Sequence, residues 1–139
     1  MPEMSPVLIV LTSRQGEEET VQSFHGEAAL RKDTVYIRYT EPEEGTDGGV
    51  IRAMVKITDH ELKIMRHGVV ESEQTFRSGQ QLPGFYRSAL TRFHLSTDTL
   101  ALESRLNGVS GMVTWEYDLY VYGELSGHFV ISLHIQEEV

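Results

Sequence analysis

The sequence contains no cysteine, and this absence excludes several kinds of chemistry at once. A chain without cysteine has no disulfide, no thiolate nucleophile and no Cys-ligated zinc or iron–sulfur site. Basic residues are also scarce, since 12 Lys+Arg stand against 21 Asp+Glu and give a formal net charge of −9. Because nucleic-acid binding depends on a basic surface that neutralises phosphates, we expect no nucleic-acid partner.

Long apolar runs are missing as well. The run from Val7 to Leu11 follows Glu3, whereas a signal peptide has a basic start and roughly 7–15 apolar residues. No run approaches the roughly 20 apolar residues that a transmembrane helix needs. We therefore expect a cytoplasmic protein without a membrane partner. The composition that remains, 40% hydrophobic and 24% charged, is ordinary for a folded chain, and we expect one domain over residues 1–139.

The most informative pattern present is an alternation of apolar and polar residues with a period of two. In residues 34–41 the odd positions include Val35, Ile37 and Tyr39, and residues 113–121 alternate in the same way. Such alternation is typical of strands with one buried face. The sequence predicts ten strands, at residues 7–14, 19–31, 34–41, 50–58, 61–67, 69–77, 85–96, 99–106, 110–122 and 128–137.

Short turn sequences separate these predicted strands. Asn107-Gly108 is the strongest of them, because both central residues of a type I′ hairpin turn need positive φ. Residues 42–49 and 79–84 are predicted to be longer loops. Since consecutive strands joined by short turns pair antiparallel, and closure removes unpaired strand edges, we predict an all-β, antiparallel up-and-down barrel of about 8–10 strands. A two-sheet sandwich is the alternative. The other short turns are Lys32-Asp33, Asp59-His60 and Ser78-Gly79.

A set of residues, taken in order, resembles a known family. The set comprises Gly26-Glu27, Lys32-Asp33, residues 35–41 and 62–68, Phe76 with Gly79, and residues 115–119. It is similar to the YwiB-like family of bacterial calycin-type β-barrels over residues 7–136. The resemblance implies a lipocalin-like closed barrel of bacterial cytoplasmic origin, and it implies no activity. Residues 86–91 depart from the family, because they lack the proline and glycine that shape a bend there.

Two charged residues continue the inward-facing pattern of their strands. Glu41 follows Tyr39 at the same parity, and Arg66 follows Ile64. A buried guanidinium needs a partner, and both residues lie near strand ends, where a barrel has its mouth. Either Arg66 binds the carboxylate or phosphate of a ligand while Glu41 orients it, or the two form a structural ion pair that closes one end. The predicted ligand-binding residues are Tyr39, Glu41, Arg66, Tyr86, Trp115 and Tyr117.

The sequence leaves alternatives open for the barrel interior and for the function. Five bulky rings share the inward parity, and they either fill the interior or leave a ligand cavity: Phe24, Phe93, Trp115, Tyr117 and Phe129. A small-ligand binder is the first hypothesis. An enzyme that uses Glu41 as acid or base, with Arg66 stabilising negative charge, is the second. The third is an interaction module, in which outward Tyr36, Tyr120 and Tyr122 form a patch for a homo-oligomer.

The histidines and serines show no metal-binding or catalytic motif. The six histidines lack His-x-His and His-x-x-x-His spacing, and the predicted outward position of His25, His94 and His134 favours surface histidines. Serines show no Gly-x-Ser-x-Gly elbow. We therefore predict no metal, no cofactor and no assigned catalytic residue.

Overall fold

The computed structural model of the protein describes residues 4–42 and 50–138. Ten strands follow one another, and each pairs antiparallel with the next. The last strand also pairs with the first, from Val7↔Glu137 to Arg14↔Val130, so the sheet closes into the predicted all-β barrel. Among the described residues, no helix has the length and apolar character to cross a membrane. The strands are β1 (Ser5–Gln15), β2 (Glu18–Arg31), β3 (Thr34–Pro42), β4 (Val50–Ile57), β5 (Leu62–Gly68), β6 (Val70–Phe76), β7 (Gln81–Ser88), β8 (Arg92–Asn107), β9 (Ser110–Val121) and β10 (Glu124–Glu137).

The period of two in the sequence becomes an alternation of burial in the structure. In β9, Val113, Trp115 and Tyr117 are buried, whereas the residues between them are partly exposed. Successive side chains of a strand point to opposite faces of the sheet, so one face of each strand lines the interior. Aliphatic and aromatic side chains from facing walls of the barrel meet there in one hydrophobic core.

The two ends of the barrel differ in character. Because neighbouring strands run in opposite directions, all odd-numbered strands end at the same end of the barrel, which we call the mouth end. Glu41 lies one residue before the end of β3, and Arg66 lies two residues before the end of β5. Fully buried Leu62 begins β5 at the opposite end, and Ile57 ends β4 there. The core therefore occupies the half of the barrel away from these two charges.

The predicted boundaries of β7 and β8 are wrong. The sequence predicted a loop over 79–84 and strands over 85–96 and 99–106, but residues 89–91 form the turn, closed by a hydrogen bond of 2.7 Å from Ser88 N to Thr91 O. No glycine or proline marks this turn. Pro83 caused the opposite error, because the loop predicted around it is part of β7. It precedes Glu73↔Phe85, the first pair between β6 and β7, so its missing N–H removes no bond to β6.

Two smaller differences concern β8 and its turn. Instead of a break at residues 97–98, β8 continues through a bulge between Thr99 and Ala101. At the end of β8, Asn107 pairs with Ser110, so the turn residues are Gly108 and Val109 rather than Asn107-Gly108. Only the first of these has positive φ, at 65°, as in a type II′ turn. The loop predicted over 42–49 lies, beyond Pro42, outside the described residues.

Candidate functional site

One row of paired residues runs across five strands just inside the mouth end. Tyr39 pairs with Ala53, Ala53 with Arg66, Arg66 with Ser72, and Ser72 with Tyr86. Directly paired residues project to the same face of a sheet. Three of the predicted ligand-binding residues, Tyr39, Arg66 and Tyr86, therefore project into the barrel from one row of the sheet.

Arg66 and Glu41 form a forked ion pair, a contact that both alternatives from the sequence include. Arg66 Nε donates to Glu41 Oε2 at 3.0 Å, and Arg66 Nη2 donates to Glu41 Oε1 at 3.1 Å. The side chains are 28% and 18% exposed, so water screens the pair only in part. Such two-point contacts hold a guanidinium in one orientation. Because a guanidinium carries five N–H donors, Glu41 leaves three of them for other acceptors.

Tyr39 lies beside this pair and is buried. Its ring stacks on Phe24, with centroids 4.6 Å apart and planes at 27°. Burial raises the pKa of Tyr39 above its ordinary value, the Glu41 carboxylate raises it further, and Arg66 opposes the shift. The phenol therefore stays protonated at neutral pH and can act as a hydrogen-bond donor next to Arg66.

A layer of aromatic rings lies in the hydrophobic core below the mouth. Phe76 on β6 packs against Tyr117 on β9 with centroids 4.7 Å apart, and against Trp115 at 5.6 Å. Tyr117 also stacks on Phe129 at 5.2 Å. Since β6 and β9 are not neighbours in the sheet, these rings meet across the interior. The predicted site residues Trp115 and Tyr117 thus belong to this ring layer, deeper than Glu41, Arg66 and Tyr86.

The Tyr117 hydroxyl interacts with the Gln74 side chain. Burial raises the pKa of Tyr117 to about 12, and interaction with the Gln74 side chain opposes the shift. Gln74 pairs with Ile64, two residues along β5 from Arg66, so its amide lies on the same wall as the guanidinium.

Several inward polar residues were not singled out from the sequence. Ser72 and Gln74 follow the parity of Val70 and Phe76, and the same parity argument that found Arg66 would have found them. Thr97 and Thr99 are fully buried on β8, inside the segment where the strand boundary was wrongly predicted. Thr97 Oγ1 donates to Thr75 O at 2.6 Å. Thr99 Oγ1 and Trp115 Nε1 have no hydrogen-bond partner among the described residues.

Open concavities occur outside the mouth. One of about 680 Å³ lies mainly on the outer face of β2 to β5 and is lined by Arg38, Met54, Met65 and other side chains. Two others measure about 500 and 250 Å³. Arg66 lines none of these three.

The histidines lie on the outer surface, as their parity indicated for His25, His94 and His134. His128 is the most strongly engaged: its Nδ1 lies 2.7 Å from Asp118 and its Nε2 lies 2.7 Å from Glu116. The hydrogen bond with Asp118 raises the pKa of His128, and that with Glu116 adds to the shift. Within the described part of the chain, no three His, Asp or Glu side chains are arranged to hold a metal ion.

The predicted tyrosine patch does not form. Tyr36 lies on β3, whereas Tyr120 and Tyr122 belong to β9 and the turn after it, and three strands separate β3 from β9. Tyr36 instead lies under the Lys56 ammonium, which is 5.9 Å from the ring centroid. Parity gives the face of a strand but not its place around a barrel, so these tyrosines do not share one surface. Self-association stays a prediction.

Comparisons with known proteins agree with this architecture. Residues 9–133 match the family model described as "Domain of unknown function (DUF1934)". The chain is 28% identical over 95 residues to the "Uncharacterized beta-barrel protein YwiB" of Bacillus subtilis (strain 168), an alignment that covers 68% of this chain and 65% of that protein. It superimposes on the crystal structure of the ywiB protein from Bacillus subtilis with a TM-score of 0.80 and 21% identity, covering 98% and 94% of the two chains. The chain belongs to the DUF1934 family and is homologous to YwiB.

Proposed function

We propose that the protein binds a small anionic or amphipathic ligand in the barrel mouth, without catalysis. The observation that carries the proposal is the forked Glu41–Arg66 pair, which holds a partly buried guanidinium at the mouth with three N–H donors not used by Glu41. A carboxylate or phosphate matches the spacing of those donors. Glu41 orients the guanidinium, and the ligand provides the second acceptor.

The other predicted residues have distinct roles in this proposal. The protonated Tyr39 hydroxyl is a second donor for an anion on Arg66. Tyr86, two residues before the end of β7, offers a ring for the apolar part of the ligand. Tyr117 and Trp115 form the base of the site through their packing on Phe76. A few placed polar groups among aromatic side chains are typical of small-molecule sites.

The geometry favours binding over acid–base catalysis. Both carboxylate oxygens of Glu41 already accept hydrogen bonds from Arg66, which is the arrangement of an orienting residue. A general base needs an oxygen within reach of the proton that it removes. We place the binding function in the bacterial cytoplasm and in a calycin-type, lipocalin-like barrel, as the resemblance in the sequence implies.

Titration with acetate and with inorganic phosphate, followed by ¹H–¹⁵N NMR of arginine side chains, tests the proposal. We expect the Arg66 Nε–H resonance to shift with either anion in a saturable manner. Arg66→Gln should abolish saturable binding. Arg38→Gln is the matched control, because Arg38 also donates Nε and Nη2 to a glutamate, Glu27, but does so on the outer face. Equal responses in the two variants, or no shift at Arg66, would contradict the proposal.

A further inference from the structure

Exposed apolar side chains are concentrated at the mouth end. Of the nine large hydrophobic residues exposed in the described chain, five lie in or next to turns at that end, and a sixth, Val21, is the fourth residue of β2 from it. Val69 lies in the β5–β6 turn, three residues after Arg66, and its N–H points to Val50 O at 3.5 Å. Val69 and Val50, two of the six, are therefore close to the ion pair. The six are Val21, Val50, Val69, Leu90, Tyr122 and Leu125.

An aromatic ladder connects the row of Arg66 to this apolar rim. Tyr86, which shares that row, stacks on Phe93 with centroids 5.1 Å apart and planes at 17°. Phe93 packs in turn against Tyr122, with centroids 6.4 Å apart and planes at 57°. Tyr86 and Phe93 are half-buried, whereas Tyr122 is 71% exposed. The three rings therefore form a continuous apolar path from inside the mouth to its outer tip.

Tyr122 occupies a backbone position that does not suit it. Val121 pairs with Glu124, so Tyr122 and Gly123 form a two-residue turn, and their φ values are 52° and 77°. Positive φ at both positions is the type I′ geometry, for which Asn-Gly is the preferred sequence. A bulky residue at positive φ is strained, and such positions are enriched at functional sites. The Tyr122 hydroxyl donates to Arg92 O at 3.1 Å and fixes the ring against Phe93.

The side chains below the mouth are packed into the hydrophobic core. Phe76 and Tyr117 meet across the barrel there, and Tyr117 stacks on Phe129 of the neighbouring strand. A tail attached to a head group on Arg66 must therefore leave upward, along the wall of the mouth. The wall that carries the aromatic ladder is the one that continues the row of Arg66.

We propose that the ligand is an amphipathic anion bound with its head group down on Arg66 and its apolar part along Tyr86, Phe93 and Tyr122. This inference rests on the proposed function and adds the orientation and the chemical class of the ligand. It explains why a tyrosine stands where the turn favours asparagine. It also assigns the exposed rim a role in covering the ligand.

Calorimetric titration with acetate, hexanoate and decanoate tests the inference. A fully buried methylene is worth about a fourfold gain in affinity, and we expect about a tenfold gain from hexanoate to decanoate because the path is half-exposed. In Tyr122→Asn the gain should fall below about threefold by the same measure. Because asparagine suits positive φ, this variant should melt at or above the wild-type temperature. Lys32→Asn is the matched control: Lys32 has a φ of 56° in a turn at the opposite end of the barrel, and its affinities should equal those of the wild type.

The outcomes separate the inference from the proposed function. If acetate binds at Arg66 but chain length has no effect, the inference is overturned and the proposed function stands. If none of the three probes binds, the proposed function fails and the inference fails with it. An equal loss of chain-length dependence in Tyr122→Asn and Lys32→Asn would also overturn the inference. So would a sedimentation experiment in which Tyr122→Asn dissociates an oligomer, because a second copy would then cover the rim.

Discussion

The strength of the Glu41–Arg66 pair can be measured with a double-mutant cycle of Glu41→Gln, Arg66→Gln and the double variant. The pair is 18% and 28% exposed and makes two charge-assisted hydrogen bonds. Exposed pairs are worth roughly 0–1 kcal/mol, whereas removing one partner of a fully buried pair costs roughly 3–5 kcal/mol. This pair lies between those limits, so Arg66→Gln should lower the free energy of unfolding by about 2 kcal/mol.

Urea denaturation provides the assay. With a slope of about 1–3 kcal/mol per molar urea, the unfolding midpoint of Arg66→Gln should fall by about 1 M. The coupling energy from the cycle should be about 1–2 kcal/mol and should depend weakly on salt. The same cycle on Glu27 and Arg38, which are 49% and 56% exposed, should give less than about 0.5 kcal/mol. Equal coupling in the two cycles would show that partial burial does not strengthen the mouth pair.

Three further predictions follow from contacts elsewhere in the barrel. Because its carboxylate partners raise the pKa of His128, the stability that it contributes is fully present below pH 6.5 and is lost as the pH rises through the raised pKa. NMR titration should place its midpoint above 6.5, and His128→Gln should destabilise the fold at pH 6 more than at pH 9. Gly84→Ala should destabilise the fold by about 1–3 kcal/mol in thermal melts, because a Cβ at this position would overlap Glu73 O and overpacking has that cost; an unchanged melting temperature would contradict this prediction. Since burial raises the pKa of Tyr117 to about 12, Tyr117→Phe should leave the phenolate absorbance below pH 11 unchanged, and a loss of signal there would count against its burial.

The sequence predicted the pairing of Glu41 with Arg66 because both strands keep an unbroken period of two up to these residues. The period identifies the face of each strand, and short turns identify its neighbours along the chain. Closure and antiparallel order followed from the same two signals. These are local properties of the chain, and they survive folding unchanged.

Features that depend on how the strands are arranged around the barrel could not be predicted from the period of two. The bulge between Thr99 and Ala101 shifts the inward parity by one residue within β8, and no glycine marks it. The packing of Phe76 on Tyr117 joins strands that are not neighbours, so it depends on barrel curvature and side-chain volume. The separation of Tyr36 from Tyr120 has the same origin, since both are outward but lie on different walls.

A crystal structure of the protein with decanoate would show the bound ligand itself. We expect density for the carboxylate in the mouth, with an oxygen about 2.7–2.9 Å from an Arg66 nitrogen that Glu41 does not use. A carboxylate bound only in a concavity of the outer face, with Arg66 contacting Glu41 alone, would contradict this expectation.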